Sequence, residues 1–334
     1  MSVVAAVRTT TVAAVEWRAT EELAVAERRT VAPGRGELAV QVGGIGVCGT
    51  DLAQWRGTDG RTRAGTVIGH EFGGTVTAIG PETPGWAPGD LVAIDPNLTC
   101  GRCAACRVGD RGGCAERRLL GFDVDGGMRE RLVVPAAAAI RVPTGTDPRA
   151  LALVEPLAVG VHAVDRAGVA AAQRVGVIGG GAIGASAARA ALERGALPVV
   201  IEPDPARCSA VAALGIDVAA KAEGDWDVAI DTVGIQPTVA AALDRLVRGG
   251  TLCIVGLAHG GAMPSSEQLV RRELQIRGTF CYTRDDLEHA AGLVGRHGLG
   301  VIPSELVLGL AAAPAAIRAL ASGALGSGKT VVVP

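Results

Sequence analysis

From Gln173 onward, short apolar runs alternate with longer alanine-rich stretches. The runs Arg174–Ile178, Leu197–Ile201, Val228–Asp231 and Thr251–Val255 are apolar almost throughout, while Ala182–Arg194, Ala206–Leu214 and Thr238–Val247 have the composition of helices. Strands apolar on both sides and separated by helices predict a parallel sheet covered on both faces. Before about residue 145 the pattern is different. Glu37–Val42 and Gly73–Ile79 read as strands broken by glycine, with turns such as Ala87–Asp90, so this half is predicted to be mostly β. After Arg284 the pattern gives a helix over Asp285–His297, another over Pro314–Ser322 and a last strand over Thr330–Val333, which can return to complete the first domain.

Composition narrows the class. A chain of 334 residues with 49% hydrophobic content suffices for about two domains and a large core. Its net charge of −2 gives no reason to expect a nucleic-acid or membrane partner. Lys221 and Lys329 stand among many arginines, which reads as base composition and not as a binding patch. The segment Met1 to Trp17 lacks the pattern of a secretory signal, and no apolar run approaches the ~20 residues of a membrane helix. The expectation is a cytoplasmic protein, in which eight cysteines serve as ligands and buried thiols, not disulfides.

Cys100, Cys103, Cys106 and Cys114 are separated by gaps of two, two and seven residues, short enough for one knuckle of chain to turn four thiolates onto a tetrahedral, structural zinc ion. Cys48, His70 and a later carboxylate come instead from distant segments and mix ligand types, the usual make-up of a zinc site with an open position. Gly179-Gly-Gly181-Ala182-Ile183-Gly184 fits G-x-G-x-x-G between a strand and a helix, so its amides can face a pyrophosphate. Glu202 ends the next strand, where a carboxylate accepts ribose hydroxyls and repels a 2′-phosphate, favouring NAD. Arg207, five residues on, leaves room for NADP.

These residues resemble the zinc-containing medium-chain dehydrogenase/reductase family, close to its polyol and threonine dehydrogenase branch. The resemblance runs nearly end to end, through Gly46-Val-Cys48-Gly-Thr50-Asp51, Gly69-His70-Glu71-Phe-Gly-Gly74, Pro88–Val92, the cysteine quartet, Gly126-Gly127 before Val133–Pro135, Val154-Glu155-Pro-Leu-Ala158 and the glycine turn. It implies a Rossmann doubly wound parallel sheet domain over residues 151–289, and a mostly β GroES-like catalytic domain formed from both termini, 1–150 and 290–334. A catalytic zinc carried by Cys48 and His70 is implied, with Glu155 matching the third ligand position and Glu71 either a ligand or a neighbour of the metal. Homodimers or homotetramers are implied as well.

The expected activity is hydride transfer between NAD and a secondary alcohol or ketone, a polyol, cyclitol or amino-hydroxy compound. An open position on zinc suits loss of a proton from an alcohol, and Thr50 can accept that proton. Two departures from the family pattern stand out: Ala53 replaces a relay histidine, and Cys281-Tyr282 replaces the Arg-Tyr of sorbitol dehydrogenases. The rivals are a biosynthetic NAD(P)H-dependent ketone reductase and a non-catalytic NAD and zinc sensor, against which Thr50 beside Cys48 argues. Glu155 could alternatively cap a helix beginning at Pro156, and Trp55 and Phe122 belong either to the substrate cleft or to the core. Cys208, Cys253 and Cys281 read as apolar residues in helices or strands, and His162, His259, His289 and His297 receive no role. Gly323–Thr330 spells G-x-x-x-x-G-K-T, but helix-like chain precedes it and a strand follows, the reverse of a phosphate loop.

Overall fold

The computed structural model describes residues 10–257, 265–323 and 326–334; His259, Met1 to Thr9 and part of the Gly323–Thr330 turn lie outside them. Six parallel strands form one sheet in the order Asp217–Ala219, Leu197–Ile201, Arg174–Ile178, Trp226–Asp231, Leu246–Ile254 and Gln275–Gly278. Numbered along the chain, that order is the 3-2-1-4-5-6 of a dinucleotide-binding sheet. The direction of winding reverses between Arg174–Ile178 and Trp226–Asp231, and a crevice opens at the carboxyl ends of those strands. Val175, Val177, Val200, Val228 and Ile230 are buried against the helices Val154–Ala167 and Ala182–Glu193, which explains the unbroken apolar runs in the sequence.

The second sheet is mixed. Its order is Ser304–Leu308, Lys329–Val333, Glu37–Gly46, Glu71–Ile79, Leu91–Ile94 and Ala139–Arg141, with Arg131–Pro135 also paired to Glu37–Gly46. Lys329–Val333 joins an early strand antiparallel, Val331 opposite Gly46, and so brings the end of the chain beside Glu71. Phe72, Ile45, Met128 and Leu310 fill the core beneath it. The α/β reading therefore holds, with a parallel sheet and a mostly β part drawing on early and late residues.

Several elements depart from the sequence expectation. The helix starting near Pro156 begins at Val154 with Leu153 as its N-cap; proline is tolerated in a first turn, and Glu155 is therefore not a cap. Cys281 lies in neither helix nor strand but in a bend, with a left-handed φ of 56°. The hairpin Thr10–Ala19 with Glu22–Thr30 and the edge strand Gln275–Gly278 had no clear signal, because their side chains alternate irregularly between buried and exposed. No helix among the described residues is long and apolar enough to cross a membrane.

Candidate functional site

Cys48 caps the short helix Gly49–Trp55, while His70 and Glu71 enter the strand Glu71–Ile79, so the fold brings together residues that are distant in sequence. One donor atom from each of Cys48, His70 and Glu71 lies within 4.8 Å of the others. Asp51, fully buried on the same helix, accepts the Cys48 N–H at 2.7 Å and faces His70 Nδ1 at 3.2 Å. That contact places the Nδ1 proton toward Asp51 and leaves Nε2 free for a ligand role, the usual arrangement behind a metal-bound imidazole. Burial pushes the His70 pKa down, but the charge and hydrogen bond of Asp51, with Cys48 beside it, outweigh burial and hold the ring well above its ordinary range. Thr50 is exposed with its Oγ1 3.4 Å from His70 Nε2, and Phe122 is buried edge-on to the His70 ring at 5.5 Å. Trp55 packs against the core of the mixed sheet.

Glu71 is the most constrained member. Its Oε1 accepts from Lys329 Nζ at 2.7 Å with both side chains buried, and Lys329 also donates to the Val47 carbonyl. Burial lowers the Lys329 pKa, yet the Glu71 carboxylate more than compensates and raises it. Glu71 Oε2 is buried with no partner, and it rests against Gly46, where a Cβ would come within 2.1 Å. A buried, unpartnered carboxylate oxygen beside a thiol and an imidazole is a donor set that fits a zinc ion. Glu155, in the first turn of Val154–Ala167, lies outside that tight group but close enough to interact with Glu71, His70 and Lys329. Burial, reinforced by Glu71, pushes its pKa up to about 7.

The quartet is local. Donor atoms of Cys100, Cys103, Cys106 and Cys114 lie within 4.8 Å of one another, and Cys106 N–H donates to Cys103 Sγ at the start of the turn Ala104–Arg107. Burial raises the Cys106 pKa, but hydrogen bonds led by Cys103 bring it down to about 6. Four convergent thiols fit a closed tetrahedral ion.

At the crevice of the parallel sheet, Gly179 has a φ of 97° and turns the chain into the helix Ala182–Glu193. A Cβ on Gly184 would lie 1.7 Å from the Gly179 carbonyl, whereas one on Gly181 would meet open space. The first and last glycines thus serve the turn and its packing, and Gly181 leaves its backbone open to a phosphate, flanked by half-buried Ala182 and Ile183. Glu202 folds onto this turn, its Oε2 accepting the Gly180 N–H at 2.7 Å, with the Arg207 guanidinium 3.8 Å away. His162 and His297, which had no role in the sequence reading, pair with Asp286 and Glu193.

Residues to which the sequence assigned no site role are Asp51, Lys329 and Tyr282. Asp51 stood inside a quoted motif without a role, and Lys329 was part of the discounted phosphate-loop spelling. Tyr282 is buried against Glu155.

Residues 34–144 match the alcohol dehydrogenase GroES-like domain family, and residues 182–296 the zinc-binding dehydrogenase family. The chain is 32% identical to L-galactonate-5-dehydrogenase of Escherichia coli over 302 residues, 86% of this chain and 88% of that one. It is 30% identical to L-idonate 5-dehydrogenase of Vitis vinifera over 74% of each. A Sinorhizobium meliloti structure described as a zinc-binding dehydrogenase bound to NADP superposes with a TM-score of 0.88 at 28% identity, covering 97% of this chain and 100% of the other.

Proposed function

The chain belongs to the zinc-type medium-chain dehydrogenase family, and from that premise we propose that it interconverts a secondary alcohol and a ketone of a polyol or sugar acid, with NAD as hydride partner. The observation that carries this reading is the convergence of Cys48, His70 and Glu71, whose unpartnered buried oxygen awaits a cation. In this reading Cys48, His70 and Glu71 hold a zinc ion, with Glu155 facing it, and Cys100, Cys103, Cys106 and Cys114 hold a second. When bound, the first supplies Lewis acidity that eases loss of a proton from an alcohol.

The chain's own groups do the rest. Asp51 fixes the His70 ring, and Lys329 pairs with Glu71 and offsets part of its repulsion of Glu155. Thr50 Oγ1 accepts the substrate proton and, with Ala53 in place of an imidazole, hands it to water. Gly179, Gly181 and Gly184 shape the phosphate cradle, and Glu202 exchanges its bond to the Gly180 amide for ribose hydroxyls. The reading divides the chain into a catalytic part over 1–150 and 290–334 and an NAD-binding part over 151–289, in a cytoplasmic homodimer or homotetramer.

Purified protein carrying two zinc ions per chain, offered L-galactonate, L-idonate and sorbitol with NAD, should raise NADH absorbance with at least one of them; no turnover with any would overturn the reading. Glu202→Ala is expected to weaken NAD binding roughly tenfold and narrow the preference over NADP. A wild type that already prefers NADP would refute the role given to Glu202.

A further inference from the structure

A line of hydrogen bonds leads from the cysteine lobe to Tyr282, beside Glu155 at the edge of the mixed-ligand centre. Arg117, three residues after Cys114, lies over the Phe280 ring at 5.5 Å and donates through Nη1 to Cys281 Sγ at 3.7 Å and to Asn97 Oδ1 at 2.6 Å. Arg111, from the loop between Cys106 and Cys114, donates to the Asn97 carbonyl at 2.8 Å and pairs with buried Asp95. Asn97 Nδ2 reaches Tyr282 Oη at 3.0 Å, and Tyr282, the one tyrosine of the chain, lies beside Glu155, whose charge reaches it. Asn97 and Tyr282 are each 2% exposed, so water does not compete for these groups.

The line has a single polarity. A guanidinium only donates, so the Asn97 atom facing Arg117 must be the oxygen, and its NH₂ must face Tyr282. Tyr282 Oη therefore accepts on that side, which leaves its proton available to a carboxylate on the other. Cys281 keeps a left-handed backbone between the two residues that Arg117 and Asn97 grip, a conformation that persists only where the surroundings enforce it.

We propose that the cysteine lobe positions the mixed-ligand centre: Arg117 and Asn97 orient Tyr282, and Tyr282 holds the Glu155 carboxylate toward the metal. The inference rests on the proposed two-metal reading. Tyr282, Asn97 and Arg117 are positioning residues, and their effect is on how tightly the centre keeps its ion as well as on turnover.

The test follows metal release into a chromogenic chelator, with the quartet's ion as internal reference, alongside the visible absorption of the cobalt-substituted centre. Tyr282→Phe should release the mixed-site ion about tenfold faster, as expected for a lost outer hydrogen bond. Release from the quartet and NADH binding by fluorescence should stay at the wild-type level, and the cobalt spectrum should shift. Arg117→Met should act in the same direction, with Arg117→Lys partly restoring retention. Because both act through Tyr282, the double variant should match Tyr282→Phe alone. Wild-type release rates in Tyr282→Phe, or effects that multiply in the double variant, would overturn the proposal; if Tyr282→Phe does not fold, Arg117→Met against Arg117→Lys decides it. A wild type with one ion, in the quartet only, would instead overturn the reading beneath it.

Discussion

The two thiol-bearing sites of this chain are built by opposite means. The quartet draws four like donors from Cys100 to Cys114, on a lobe whose Cys100, Cys103 and Cys106 remain partly exposed. The mixed centre draws a thiol from one segment and an adjacent imidazole and carboxylate from another, and encloses them with Asp51 and Lys329. A local site needs only its own knuckle to form. The mixed site needs most of the fold first, and it gains in return a controlled electrostatic setting: a buried cation at Glu71 and an oriented ring at His70.

The largest expected contrast comes from one serine at each site. Cys48→Ser should abolish turnover, lower the zinc content from two to one per chain and leave NADH binding measurable by fluorescence. Cys106→Ser should instead lower thermal stability, because a structural ion contributes folding energy directly. Retained turnover in metal-verified Cys48→Ser would erase the distinction between the sites.

Next in size is Lys329→Met. It leaves the Glu71 carboxylate buried without its cation, and removal of one partner of a buried pair costs about 3–5 kcal/mol. Urea unfolding should show that loss; a change under about 1 kcal/mol would mean that water reaches Glu71.

The smallest effect belongs to the same type of pair on the cysteine lobe. Arg102 donates to both oxygens of Glu116 at 2.9 and 2.8 Å, but the two side chains are 75% and 58% exposed. Arg102→Ala should cost about 1 kcal/mol or less in the same unfolding measurement. A cost equal to that of Lys329→Met would show that burial is not what separates the regions.

The same contrast explains what the sequence made legible. The quartet could be read because its cysteines are neighbours in the chain, and the glycine turn because an apolar run precedes it and an alanine-rich helix follows. Cys48 and His70 could be grouped only by donor type and by a family resemblance, since spacing alone does not say that positions 48 and 70 meet. Lys329 was hidden further still: its spelling suggested a phosphate loop, and its role follows from a strand pairing between Val331 and Gly46 that no local pattern encodes. Asp51 and Tyr282 make hydrogen bonds to side chains distant in sequence, which leave no periodic trace. Cys281 looked like one more small apolar residue, because left-handed backbone at a non-glycine position follows from its surroundings and not from residue type.

The pairing of Glu71 with Lys329 also bears on how the protein is made. The two residues are 258 positions apart, which at about 5–20 residues per second means roughly 13–50 s of ribosomal synthesis between them. Throughout that interval the nascent chain has its thiol, imidazole and carboxylate but not the ammonium that balances Glu71, so the last strand completes the charge of the site as well as the sheet.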